Sequence, residues 1–223
     1  MRILITTSDD YVHLLPGFAH QWAKYADSVP FTVVYRNVAP PPLPAFVTTL
    51  RSPAEHKDWS TMVLNAVERI PDRILLVGLE DFWLSEPVDW DAVHSAKEYM
   101  IGHPDVIRID LTEDRTAFPY VERDDYYQAV VDPEELQYLI STQWSIWRRD
   151  ELLRWLRPGE TSPQFEVEGS RRIAPTFPTI LGTGFRPLPG SGDGIIHNGR
   201  LDNPRTEYLF AEDVDELKAL GYL

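Results

Sequence analysis

The run Arg73-Ile-Leu-Leu-Val-Gly-Leu79 constrains the fold more than any other stretch of the chain. It is almost continuously apolar, so it predicts a strand covered on both faces, as in a parallel sheet with helices on each side. Glu80 and Asp81 follow at once. Ligands of open α/β sheets bind outside the carboxyl ends of the strands. Two adjacent carboxylates at such a place are costly unless a divalent cation or a basic ligand neutralises them. A helix cap or a surface loop is the plainer use of the same pair.

The segments around this strand repeat a strand–helix pattern. Arg2 to Thr7 and Phe31 to Tyr35 read as strands, and Phe46 to Leu50 as a short third one. Leu14 to Tyr25 reads as a helix with Pro16 in its first turn. Trp59 to Ile70 carries apolar residues at helical spacing, and Trp90 to Met100 reads as a further helix before a strand at Val106 to Leu111. This alternation predicts a doubly wound sheet with right-handed crossovers. Residues 137–147 contain a strand, 150–156 form a short helix, and Ser162-Pro163 opens another. The glycine- and proline-rich stretch from Phe177 to Gly194 reads as loop with at most a short strand. Asp213 to Glu216 fits a capping box for a last helix over 214–220.

Composition narrows the chemistry. The absence of cysteine removes disulfides, thiolate metal sites and cysteine nucleophiles. The N-terminal apolar run is too short for a signal peptide, and no apolar run approaches the ~20 residues that span a bilayer, so a cytoplasmic protein is expected. A net charge of −14 opposes non-specific binding to nucleic acid. The one strong basic cluster, Arg148, Arg149, Arg154 and Arg157 with Arg171 and Arg172 beyond, reads first as a solvated helix face. No phosphate-binding P-loop, dinucleotide fingerprint or Gly-x-Ser-x-Gly elbow is present.

The stretch from Ile74 to Asp89, an apolar strand ending in an acidic pair, then aromatics, a leucine and a Pro-Val-Asp turn, resembles a pattern of bacterial and viral GT-A-type nucleotide-sugar glycosyltransferases. Three further segments look similar in the same order: Thr6-Thr7-Ser8-Asp9-Asp10-Tyr11 to the nucleotide-side loop, Asp58-Trp59-Ser60 to the helix before the acidic strand, and Ser141 to Trp147 with Thr161 to Glu166 to the acceptor side. The resemblance covers roughly residues 1–200. It implies one GT-A-like, Rossmann-like α/β domain over 1–223 with a mostly parallel central sheet flanked by helices. Residues up to about 111 form its nucleotide-sugar half. Residues from about 112 form the acceptor half and a C-terminal helix.

The same resemblance implies a nucleotide-diphosphate-sugar donor, a hydroxyl acceptor (a glycan or small molecule before modified DNA) and a Mn²⁺ or Mg²⁺ ion. Thr7, Ser8, Asp9, Tyr11, Trp59, Glu80 and Asp81 would bind the donor. Asp81, with a late histidine at His197, would hold the metal. Leu79 stands where the family's Asp-X-Asp form has its first aspartate. An inverting transferase needs a base for the acceptor hydroxyl. Glu166 is the match, with Glu168 as its neighbour, and an exposed helix charge is the plain alternative for each. Tyr11, Trp59 and Trp83 suit stacking on a base or sugar as well as core packing. A non-catalytic sugar- or nucleotide-binding relative and a transferase acting on modified DNA bases are the competing functions.

Overall fold

A computed structural model describes residues 1–132, 134, 138–189, 196–197, 200–201 and 211–222. Eleven strands fall among them: β1 (Arg2–Thr6), β2 (Phe31–Tyr35), β3 (Val47–Arg51), β4 (Ile74–Leu79), β5 (Val106–Asp110), β6 (Tyr120–Arg123), β7 (Tyr126–Ala129), β8 (Ser145–Arg148), β9 (Thr179–Gly182), β10 (Ile196–His197) and β11 (Arg200–Leu201). The helices are α1 (Leu15–Tyr25), α2 (Trp59–Glu68), α3 (Trp90–Gly102), α4 (Arg149–Trp155), α5 (Ser162–Ile173) and α6 (Ala211–Ala219).

One sheet takes the order β3-β2-β1-β4-β8-β5-β9-β7-β6, and β10 and β11 pair separately. Strands β7 and β8 run against the other seven of the large sheet. The two halves of the chain interleave, because β8 lies between β4 and β5.

Strand β4 shows why its sequence is apolar throughout. Ile74 and Leu76 enter a core with Leu15, Phe18 and Trp22 of α1, Val93 and Met100 of α3, and Leu217 of α6. Leu75 and Val77 enter the other core, with Met62, Val63 and Val67 of α2, Leu152 of α4 and Phe165 of α5. Each face of the sheet is thus closed by helices, as a strand apolar at every position requires. Gly78 makes room for Trp144, since a Cβ there would lie 2.4 Å from the indole ring.

Two elements depart from the sequence expectations, and the short strand allowed within 177–194 proves to belong to the main sheet. The β6–β7 hairpin was not foreseen; it turns at Asp124, whose φ of 54° does without glycine. Residues 179–182 form a full member of the sheet, paired with both β5 and β7. The last helix begins at Ala211, so Asp213 lies in its first turn and not at its cap. Its fully buried carboxylate instead takes Lys24 Nζ at 2.7 Å and the Tyr25 hydroxyl at 2.8 Å, both on α1. A tertiary ion pair has claimed the oxygen that a local cap would use.

Candidate active site

The sheet order fixes which loops can meet. Strands β1 and β4 are parallel neighbours, and the connection from β1 leads the other way, to β2. Their carboxyl ends therefore flank a topological switch point, where ligands of such sheets bind. Thr7 and Ser8 leave β1 there, and Glu80 and Asp81 leave β4.

A cavity of 290 Å³ opens beside the β1 end. Thr7, Ser8, Asp10 and Tyr11 line it from the loop after β1, Arg36 from just after β2, Lys57 from the loop before α2, Trp59 and Met62 from the start of α2, and Thr161–Pro163 from the start of α5. Trp59 is fixed by its indole N–H, which donates to Thr6 Oγ1 at 3.0 Å, and by Phe165 at 5.3 Å between ring centres. Asp58 caps α2 through Thr61 N–H and also accepts from Gly159 N–H, which holds the loop before α5 over the cavity.

Glu80 is buried, with Ser8 N–H 3.5 Å from its Oε1. Burial and the neighbouring charge of Asp81 push its carboxyl up to about 8, against the pull of Thr7 and Ser8. Such a pair suits a hard cation. Mg²⁺ and Mn²⁺ prefer oxygen ligands, and Mg²⁺ is commonly held by one or two carboxylates completed by substrate phosphates. Among the described residues no cluster of three or more acidic or histidine side chains adds to them. The backbone of His197 pairs with Arg200, but its side chain lies outside the described residues.

A second cavity, of 350 Å³, opens on the same edge of the sheet at the β8 and β5 positions. Asp110, Arg115, Phe118, Tyr138, Ser141, Gln143 and Glu166 line it. Oε1 of Glu166 accepts from the Thr142 N–H at 2.6 Å and hydroxyl at 2.8 Å. Below, Arg108 Nε pairs with Asp110 at 2.6 Å, and Arg115 Nε donates to the same carboxylate at 3.1 Å. Burial pushes the Arg108 guanidinium below its usual value, while Asp110 pulls it back. In sheet order β4 stands between the strands that carry the two cavities, so the strand end that bears Glu80 and Asp81 falls between them, while neither residue lines either cavity. Helix α5 serves both, with Thr161–Pro163 at its start and Glu166 one turn on.

The expected site residues therefore divide. Thr7, Ser8, Tyr11 and Trp59 meet in the first cavity, with Glu80 against Ser8. Asp9 stands behind it: its Oδ1 accepts the N–H groups of Asn37 and Val38, and its Oδ2 lies 3.4 Å from Arg36. Burial raises the Asp9 carboxyl, but these partners outweigh it and hold the group low. Glu168 points away from Glu166 and pairs with Arg171 on the outer face of α5. Trp83 is fully buried in the core against Gly17. Arg36, Lys57, Asp110 and Arg115 were missed. The signals were available: Arg36 directly follows β2, and Arg108 and Asp110 put charges into a strand otherwise built for the core.

No protein-family model matches the sequence, and no curated protein matches it significantly. Among solved structures, a CMP:2-keto-3-deoxy-manno-octonic acid synthetase complexed with CTP aligns over 99% of this chain and 98% of its own, at TM-score 0.52 and 12% identity. A UDP-glucose pyrophosphorylase complexed with UDP-glucose aligns over 83% and 90%, at TM-score 0.50 and 12% identity. The chain shares their fold. That fold is the GT-A-like arrangement implied by the motifs. A galactosyltransferase, LgtC, in complex with donor and acceptor sugar analogues overlaps more loosely, at TM-score 0.41 and 12% identity over 69% of this chain and 60% of its own.

Proposed function

We propose that this chain is a glycosyltransferase that moves a sugar from a nucleoside-diphosphate donor to a hydroxyl acceptor. The observation that carries this reading is the Glu80–Asp81 pair, set between two cavities on the ligand-binding edge of the sheet. The nucleotide occupies the cavity beside β1, with Tyr11 and Trp59 as its aromatic walls. The acceptor occupies the cavity beside β5. The acceptor oxygen attacks the anomeric carbon while the bond from that carbon to the diphosphate breaks. The hydroxyl proton passes to Glu166 Oε2, the oxygen that Thr142 does not engage. Attack from the side opposite the leaving group inverts the anomeric centre. Asp81 and Glu80 would hold a Mg²⁺ or Mn²⁺ ion, which when bound neutralises charge on the departing diphosphate.

Transfer of a nucleotide to a sugar phosphate is the second reading, favoured by the two solved structures that share the fold, one with CTP and one with UDP-glucose. Such an enzyme must hold a triphosphate beside the loop leaving β1. Here that loop carries Asp9 and Asp10 and no lysine or arginine. Its field favours the smaller charge of a diphosphate.

The test screens nucleotide sugars with Mn²⁺ for nucleoside diphosphate release, and nucleoside triphosphates with sugar phosphates for pyrophosphate release. Asp81→Asn should abolish turnover without lowering Tm. Glu166→Gln should cut the rate by about 10² to 10⁴ while keeping donor affinity, and Glu168→Gln should change neither. Near-native turnover of Asp81→Asn would sink this site. Pyrophosphate release alone would select the second reading.

A further inference from the structure

The nucleotide cavity carries its own cations, in surroundings that make them necessary. Asp9, Asp10 and Asp81 all lie at the carboxyl ends of β1 and β4, in a chain of net charge −14. A diphosphate brought there meets like charge. Two basic side chains line the cavity, Arg36 and Lys57. Arg36 is 2% exposed and already committed, with Nη1 donating to the Glu55 carbonyl at 2.9 Å and Nη2 lying 3.4 Å from Asp9.

Lys57 differs in every respect. It is exposed, and among the described residues no carboxylate lies within ion-pairing distance of its Nζ. Its backbone has φ 65°, a left-handed conformation that non-glycine residues adopt only at a cost. The segment is nonetheless pinned. The Lys57 carbonyl accepts the Trp59 N–H at 2.9 Å, and Asp58 beside it caps α2 and binds Gly159. The start of α5, a 12-residue helix, also lines the cavity, and its positive dipole end adds to the same field. A strained backbone, a rigid base and a lysine with no carboxylate partner among the described residues together describe a side chain held for a ligand.

We infer that Lys57, backed by Arg36, binds the phosphate groups of the nucleotide directly, so that phosphate recognition persists without a divalent cation. The inference rests on the nucleotide reading of this cavity. It compensates for the position where Leu79 replaces an acidic residue of the related pattern. Lys57 is a binding residue in this scheme and takes no part in proton transfer.

The test compares each nucleoside diphosphate with its own nucleoside, for uracil, cytosine, guanine and adenine, by calorimetry in EDTA. Wild-type protein should bind the best diphosphate about tenfold or more tightly than the matching nucleoside. The gap should shrink as salt is raised, because the contact is exposed. Lys57→Gly should close most of the gap and leave nucleoside affinity unchanged. Glycine takes a positive φ without strain, so this variant should keep or raise Tm. Lys57→Arg should retain most of the gap. Equal binding of diphosphate and nucleoside in EDTA by the wild type, or a gap that survives Lys57→Gly, overturns the inference and leaves the nucleotide reading standing. Failure of every nucleotide and nucleoside to bind, with and without Mn²⁺, removes both.

Discussion

Glu80 carries the clearest consequence at the scale of a single residue. Its folded carboxyl titrates at about 8, against 4.5 for an ordinary glutamate, chiefly because it is buried and then because Asp81 is adjacent. Between those two values the folded chain keeps a proton that the unfolded chain has released. Stability is therefore fully present below about pH 4.5 and falls as pH rises towards and through 8. Glu80→Gln is neutral at every pH and removes this slope. In metal-free buffer the variant should match the wild type in Tm near pH 5 and exceed it near pH 9. A constant Tm difference across that range would show that Glu80 does not titrate as its surroundings dictate. The sequence made the acidic pair visible because charges rarely end a strand as apolar as β4. It hid Arg36 and Lys57, whose meaning depends on β2 and the loop before α2 arriving at one cavity. The separation of Glu166 from Glu168 was legible, since residues two apart on a helix cannot share a face.

Among the elements, α6 shows how a distant contact overrides local chemistry. Asp213 is buried without remainder between Lys24 and Tyr25, and burial first, then its bond to Asp213, pushes the Tyr25 hydroxyl up to about 12. An amide carries no charge to hold the Lys24 ammonium, and its NH₂ group replaces one of the two oxygens that face the Tyr25 hydroxyl. Asp213→Asn should cost about 1–3 kcal/mol in urea denaturation, after allowance for the partial exposure of Lys24. A change below ~0.5 kcal/mol would mean that Leu217 and its apolar neighbours dock α6 unaided. Strands β1, β2 and β4 and helices α1 to α3 were readable because each has a clear period or an unbroken apolar run. The β6–β7 hairpin was not, because its turn uses Asp124 and Asp125 where the recognisable turns use Asn-Gly or Asp-Gly. Strand β9 lay hidden in a glycine-rich stretch, and Gly182 is there because the Arg115 side chain passes 2.5 Å from where its Cβ would stand.

At the scale of the whole molecule, the one basic cluster of the sequence is engaged within the chain. Arg149 pairs with Asp150, Arg154 with Glu151, Arg171 with Glu168 and Arg172 with Glu160, while Arg148 donates to the carbonyls of Val106, Met100 and His103. Each of these arginines already faces an acidic side chain or a backbone carbonyl, and a chain of −14 should give no salt-sensitive gel shift with duplex DNA at physiological ionic strength. Tight binding that weakens steeply with salt would reverse this. Among the described residues no helix is long and apolar enough to cross a membrane. The insertion of β8 between β4 and β5 bears on how the protein is made. Both flanking strands are complete by residue 110, yet they never pair with each other, and the strand that joins them starts at residue 145. During synthesis two open strand edges wait for several seconds, at roughly 5–20 residues per second, before their partner leaves the ribosome. Unpaired apolar edges invite pairing with other chains. The arrival of β8 joins the two strands and ends that wait, and β9 at residues 179–182 then links β5 to the β6–β7 hairpin and completes the sheet.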